Sequence, residues 1–361
     1  MAQRSDVATL IEFGQSPWYD NLTRALARGD LRQLVEHDGI RGVTSNPTIF
    51  EKAMGAGTDY DEQLRELGDI ASDDAYWSLV VDDVRDACEL LDGVHRETNG
   101  ADGFVSVEVS PDLARDTHAT ITQAKELWGR IERPNLMIKI PATEPGIPAV
   151  TAVLAAGINV NITLIFSLDR YAQVMEAHTA GLEQLAANGG DPSKVHSVAS
   201  FFVSRVDTET DKRLPEGHAL RGKAAVANAK LAYQAFVDHL ATPRWQALAA
   251  KGASVQRPLW ASTSTKNPDY SPTLYVDELI GRDTVNTLAQ ASIDALQQHP
   301  GMRADTVRDD VDGARKVIAD LAGAGVDFDD VTATLEREGV ASFAKSYKDA
   351  VATLHSKRAS L

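Results

Sequence analysis

Short apolar or alternating runs bounded by Gly, Pro, Asn, Asp or Ser recur along the chain, near positions 17–19, 42–45, 104–109, 136–140, 159–166, 197–203, 258–262 and 284–288. Runs of this length and composition predict strands. Between them the apolar positions move to helical spacing, as in LARDTHATITQAKELWGRI and GKAAVANAKLAYQAFVDHLA. Strands that alternate with helices predict a parallel sheet, and eight such units in a mid-sized chain predict a closed (β/α)8 TIM barrel of the α/β class. The most apolar window, 149–166, is broken by Gly157, Asn159, Asn161 and Thr163, so it reads as a helix followed by a strand and not as a membrane span. The segment 303–361 is rich in helix formers and is expected to add C-terminal helices packed on the barrel. No long Pro, Gly or Ser linker and no short repeat divides the sequence, which predicts a single domain over 1–361.

A barrel of this kind carries its chemistry at the C-terminal ends of the strands, on inward positions that recur with period two. The predicted strands meet that demand. Lys139 stands in LMIKIPAT, where an apolar strand carries one ammonium just before Pro141. Desolvation by such neighbours favours the neutral amine, which can attack a carbonyl, although a lysine at a strand end can also snorkel or be ion-paired. In VNITLIF, Asn161 and Thr163 share one face while Val160, Ile162 and Leu164 share the other. Glu108 ends FVSVE much as Lys139 ends the next strand, and Ser200, Phe202 and Ser204 share a face of SVASFFVSR, with Arg205 just beyond. Asp20 ends SPWYD, and Asn46 ends GVTSN before Pro47. Taken singly, each of these also fits a structural role, an Asn capping a turn or a Glu in an ion pair. Six strand ends bringing polar groups to one rim point instead to a site.

Composition narrows the partners. The chain has 361 residues, 43 % hydrophobic and 24 % charged, the balance of a soluble globular protein with a sizeable core. Its net charge of −16 makes nucleic acid and anionic membranes poor partners, so an anionic substrate would need a local cluster of cations. The one cysteine, Cys88, falls in the helical VVDDVRDACELL, which excludes a disulfide within the chain and predicts a core residue in a reducing cytoplasm. The opening MAQRSDVATLIEF shows no cationic region followed by an apolar stretch, so no signal peptide is expected. No metal site is expected either, because the nine histidines show neither HExxH spacing nor a carboxylate cluster. GHALRGKA has the Walker spacing, but Ala224 stands where Ser or Thr is needed and no buried strand precedes it, so Lys223 is expected to begin a helix. The acidic run 305–312 reads as a solvated helix start and not as a calcium loop.

The segments GVTSNPTIF, VSVEVSPDLA, LMIKIPAT, VNITLIFS and SFFVSRVD, in that order and spacing, resemble the successive motifs of the transaldolase family, from about Asp20 through the eighth strand. The likeness is greatest to the longer bacterial transaldolases, whose seventh strand is similar to WASTSTKNP here. Two departures stand out: Ser45 replaces a Thr found in many relatives, and the run 262–266 is longer than the Ser-x-Arg of other branches, so Ser262 or Thr265 is an alternative to Ser264.

The resemblance implies a cytoplasmic transferase of the non-oxidative pentose phosphate pathway. It would move a dihydroxyacetone unit from sedoheptulose 7-phosphate or fructose 6-phosphate to glyceraldehyde 3-phosphate or erythrose 4-phosphate. It implies Lys139 as the Schiff-base lysine, Glu108 with Thr163 as holders of the water that shuttles protons, and Asp20 as the acid–base group at the C4 hydroxyl. Asn46 and Asn161, with Ser200 nearby, would bind the dihydroxyacetone hydroxyls, Phe202 would wall the pocket, and Arg205, Ser264 and Lys266 would bind phosphate. No cofactor is implied, and the chain would be a monomer or a homodimer. The alternatives are a fructose 6-phosphate aldolase that releases free dihydroxyacetone, and a noncatalytic sugar-phosphate-binding barrel. Glu108 and Phe202 speak against the first, because those aldolases carry Gln and Tyr at the matching places. The combination of Lys139, Glu108 and Asp20 speaks against the second, since a mere binder has no need of an imine-forming amine.

Overall fold

Eight parallel strands, hydrogen-bonded in sequence order, form a closed barrel: β1 Gln15–Tyr19, β2 Gly42–Thr44, β3 Val105–Glu108, β4 Leu136–Pro141, β5 Val160–Ile165, β6 Ser197–Phe202, β7 Gln256–Ala261 and β8 Thr284–Leu288. The structure is a computed structural model and describes residues 6–299 and 301–361. Residues 1–5, part of the opening segment read as lacking a signal peptide, lie outside the described residues. Each of the eight predicted runs is a strand, and closure is made by β1 on β8, in register from Gln15↔Thr284 to Tyr19↔Leu288.

The helices between the strands follow from local chemistry. Thr117–Ile131 begins where the Asp116 carboxylate accepts from the Ala119 amide, and it ends at Glu132 in the left-handed region. Ala224–Leu240 buries Ala225, Ala229, Ala232 and Phe236 at helical spacing. The apolar window resolves into the helix Gly146–Ala155, a turn at Gly157 with φ 80°, and β5. Among the described residues no helix is long and apolar enough to cross a membrane.

The floor of the barrel is tied by one carboxylate. Asp102, just before β3, accepts hydrogen bonds from the Ser16 hydroxyl and from Trp18 Nε1 at 2.9 Å, both on β1. It also pairs with the guanidinium of Arg257 on β7 at 3.3 Å. Two strands far apart in sequence, β1 and β7, thus share one anion carried by the segment that leads into a third. The Trp18 ring above it is fully buried and fills the space that a side chain at position 42 would need. A Cβ on Gly42 would stand 2.4 Å from a ring carbon, so glycine is required there by packing.

The segment 303–361 does supply helices, Val311–Gly323 and the 31-residue Phe328–Arg358. The first packs on Ala224–Leu240, and the second crosses the C-terminal rim of the barrel against Pro47–Gly55, Ser72–Glu97 and Ser204–Lys212. Its position departs from one expectation. Leu164 does not continue the outward face of Val160 and Ile162. It adopts φ 59°, the pairing of β5 with β6 slips between Ile162 and Ile165, and the side chain turns up against Gly339 of the long helix. A bulge of this kind breaks the period of two that the sequence pattern assumes.

Asp102→Ala should lose about 3–5 kcal/mol of stability in denaturant unfolding, because Arg257 and the two β1 donors would be left buried without their shared partner. A loss under about 1 kcal/mol, the scale of an exposed ion pair, would show that closure does not depend on this carboxylate.

Candidate active site

Lys139 stands near the C-terminal end of β4 and is only 5 % exposed. Its Nζ donates to the backbone carbonyl of Ser45 at 3.0 Å and lies 3.4 Å from Glu108 Oε2, which the neighbouring strand places alongside it. Burial pushes the Glu108 carboxyl above the ordinary carboxylate range, and Lys139 pulls it back only in part. Behind Glu108, away from the barrel axis, lie the rings of Tyr76, Trp77 and Tyr347, which keep that side apolar. Thr163 Oγ1 is buried without a hydrogen-bond partner among the described residues, and the buried Glu108 Oε2 has only its ion pair with Lys139. An unspent hydroxyl of this kind is available to a reacting water or hydroxyl.

A cavity of about 210 Å³ opens in front of Lys139 at the rim. Its lining brings together Asp20, Asn46, Lys139, Thr163, Ser200, Phe202, Arg205, Ser264 and Lys266, which come from six strands or the turns after them. Asp20 follows β1, and burial raises its carboxyl above the usual range while Lys139, Arg205 and Lys266 draw it down. The Arg205 guanidinium sits 5.1 Å from the Phe202 ring centroid, and burial holds it below the usual arginine range, with Asp20 opposing. Neither Arg205 nor Lys266 makes an ion pair within 4 Å among the described residues. Two unpaired cations facing one cavity supply, in a chain of net charge −16, the local attraction for an anion that composition alone withholds.

The amides divide between structure and site. Asn46 caps the helix Pro47–Gly55 by accepting from the Ile49 amide at 3.1 Å, and it also lines the cavity, so the structural and functional readings both hold. Asn161 does not reach the lining. It lies one layer down, donating to Ser106 Oγ at 3.0 Å and accepting from Ser200 Oγ at 2.7 Å, so it touches the cavity through Ser200. The Ser45 hydroxyl is likewise turned into the wall, donating to the Ser106 carbonyl. On the seventh strand's turn, Ser262 and Ser264 both face the cavity, whereas the Thr265 hydroxyl donates outward to the Ser271 carbonyl.

Sequence reasoning missed several contributors, among them Thr44, Thr287 and Phe343, and held Ser262 only as an alternative to Ser264. Thr44 and Thr287 line the cavity from β2 and β8, and inward period-two counting from Asn46 and Val285 could have found them. Ser262 arrives through a φ of 55°, and Phe343 comes from the helix Phe328–Arg358, its ring centroid 5.9 Å from Lys139 Nζ. No strand pattern points to either.

Elsewhere the competing readings resolve as structure. Lys223 stands at the start of the helix Ala224–Leu240 without a side-chain capping bond, and the element before it is the helix Ser204–Lys212, not a strand. Asp310 caps Val311–Gly323 by accepting from the Gly313 amide. Cys88 is fully buried, and burial pushes its thiol up. No group of three or more His, Cys, Asp or Glu among the described residues is placed to hold a metal. What the rim assembles is an amine flanked by two carboxyls of raised proton affinity, with unpaired cations opposite. Such a set suits imine chemistry on a carbonyl compound that carries an anionic group.

Residues 17–354 match the profile of the family described as Transaldolase/Fructose-6-phosphate aldolase. The chain is 49 % identical over 360 residues to the transaldolase of Saccharopolyspora erythraea, with 98 % of each chain covered. It is 52 % identical over 357 residues to that of Mycolicibacterium paratuberculosis and 50 % identical over 353 residues to that of Thermobifida fusca, with 96 % of each chain covered in both cases. On both the motif order and this near full-length similarity, the chain belongs to the transaldolase/fructose-6-phosphate aldolase family.

Proposed function

We propose that this protein is a transaldolase that transfers a dihydroxyacetone unit between sugar phosphates, in the cytoplasmic non-oxidative pentose phosphate pathway, through an imine on Lys139. The observation that carries the reading is the Lys139 amine with Glu108 beside it and Asp20 sharing its cavity, across from an unpaired Arg205. Splitting a ketose between C3 and C4 leaves carbanion character next to C2, and a protonated imine at C2 is the electron sink that a plain carbonyl is not. The lysine supplies that sink itself, so the route needs no added cofactor. Single-domain organisation, with 303–361 as a helical extension of the barrel, fits the same reading, because that extension contributes Phe343 to the cavity.

The residues divide the work. Lys139 Nζ attacks the ketose C2, and Glu108 with Thr163 holds the water that takes and returns protons as carbinolamine becomes imine; Glu108 pairs with the amine and Thr163 presents a free hydroxyl to the same cavity. Asp20 accepts the C4 hydroxyl proton as the C3–C4 bond breaks, the C4 oxygen becomes the departing aldehyde, and the bonding electrons pass to the C2–C3 enamine. The raised proton affinity of Asp20 suits a group that must take a proton from an alcohol and give it back to the incoming aldehyde. Asn46 and Ser200, the latter held by Asn161, meet the hydroxyls of the retained unit, and Phe202 excludes water. Arg205, Ser264 and Lys266 receive the phosphate, Arg205 with a planar fork and Lys266 as a point charge. The wall residues Glu108 and Phe202 favour transfer over simple aldol release.

Borohydride added with fructose 6-phosphate should fix a stable adduct on Lys139, located by peptide mapping, and Lys139→Ala should lose nearly all turnover while remaining folded. An adduct on Lys125 or Lys266 would remove Lys139 from its role.

Asp20→Asn should still form the imine yet lose roughly 100-fold or more in C3–C4 cleavage, so that trapped adduct persists while aldehyde product falls. Glu108→Gln should instead slow the trapping itself. Equal trapping rates in wild type and both variants would contradict this division.

Arg205→Ala should weaken use of fructose 6-phosphate by roughly 10- to 150-fold, the worth of one charged hydrogen bond of about 1.5 to 3 kcal/mol, and leave unphosphorylated fructose little changed. Lys266→Ala should do the same more mildly. If Arg205→Ala depressed both substrates equally, Arg205 would be supporting the barrel and not reading phosphate.

A further inference from the structure

The structure assigns to Phe343, carried by the C-terminal helix Phe328–Arg358, the choice between transfer of the retained three-carbon unit and its release to water. This rests on the imine mechanism proposed above and adds a specificity-determining residue from outside the strand ends. Phe343 is 4 % exposed and lines the same cavity as Lys139, with its ring centroid 5.9 Å from Nζ. It comes from a helix that crosses the rim, so it closes the cavity from above, whereas Phe202 walls it from within β6.

The helix is fixed on both sides of that ring. One turn before Phe343, Gly339 lies so close to Leu164 that a Cβ would stand 2.9 Å from Leu164 Cδ2. Just after it, Ser346 shares a 2.9 Å hydrogen bond with Thr48, two residues past Asn46, and Tyr347 meets Tyr76 edge to face at 5.0 Å. These anchors hold Phe343 over the amine with little freedom. An apolar ring in that place has a chemical consequence. After the aldehyde leaves, the enamine carbon C3 is a base. If a water reaches it, C3 takes one proton and the enamine becomes an imine. A second water then adds across C=N, the C–N bond breaks, and free dihydroxyacetone leaves with the Lys139 amine restored. A ring covering the enamine keeps that proton source away until an acceptor aldehyde enters. The family's description names both reactions, and the closure of this mouth joins Glu108 and Phe202 in favouring transfer.

The test measures, for each folded variant supplied with fructose 6-phosphate, the rate of free dihydroxyacetone release and the rate of transfer to erythrose 4-phosphate. Phe343→Ala is expected to raise the ratio of release to transfer by about 10-fold, through water entry and not through loss of imine formation, so borohydride trapping on Lys139 should persist. Phe343→Leu, which keeps apolar bulk, should raise it by about 2- to 3-fold, and it preserves the test if the alanine variant does not fold. A merely structural role would lower both rates together and leave the ratio unmoved. An unchanged ratio in Phe343→Leu and in any folded Phe343→Ala would overturn this assignment while leaving the transaldolase reading intact. A wild type that releases dihydroxyacetone and transfers none would instead overturn the transaldolase reading.

Discussion

Holding the Lys139 ammonium inside a closed barrel is the constraint around which the rim is arranged. Removing one such ion from water costs several kcal/mol even after the protein relaxes, and the neighbouring Glu108, 3 % exposed at its side chain, adds a second cost. Their mutual attraction and the Ser45 carbonyl offset part of this. The rest appears as altered proton affinity, with both carboxyls pushed up by burial. A site built only for stability would replace these groups with apolar side chains. An amine and two carboxyls of raised proton affinity, gathered in one buried place, are the kind of perturbed titratable set that marks a functional site.

Everything that positions these groups is rigid. The barrel fixes the strand ends, and its floor is locked where Asp102 joins β1 to β7. The layer beneath the site is a short polar chain, Ser106 to Asn161 to Ser200, whose hydrogen bonds satisfy one another. This chain sets the height of the Ser200 hydroxyl and spends Asn161 on support. Above, the C-terminal helix closes the mouth. The cavity therefore lies between a hydrogen-bonded layer and an aromatic cover, with Arg205 in its lining.

The eight strands were legible from apolar runs, because a parallel sheet buried on both faces needs near-continuous hydrophobic segments. Lys139, Glu108, Asp20, Asn46 and Arg205 stood out as candidates, since a polar residue at the end of an apolar strand is conspicuous, and the structure sets all but Glu108 around one cavity, with Glu108 beside Lys139. Cys88, Lys223 and the acidic run near Asp310 were also read correctly as structure, each from local context alone. Leu164 was misplaced because period-two counting has no means of sensing a bulge, which costs nothing in local pattern and is imposed by the slip of β5 against β6. Parity gave the face that Asn161 shares with Thr163 and not its depth, which the structure sets one layer below the cavity, against Ser106 and Ser200.

The sequence by itself determined the order of elements, the face each strand turns inward and the residues able to form an imine, all of which depend on neighbours a few positions apart. Only the tertiary structure decided how far up the barrel each group sits, which serines of the run 262–266 face inward, and that a phenylalanine more than 200 residues after Lys139 covers it. Those depend on how a 31-residue helix crosses the rim, fixed by Gly339 against Leu164 and Tyr347 against Tyr76. Contacts of that range leave no periodic trace in the chain, since they arise from closure of the barrel and not from the segments it closes.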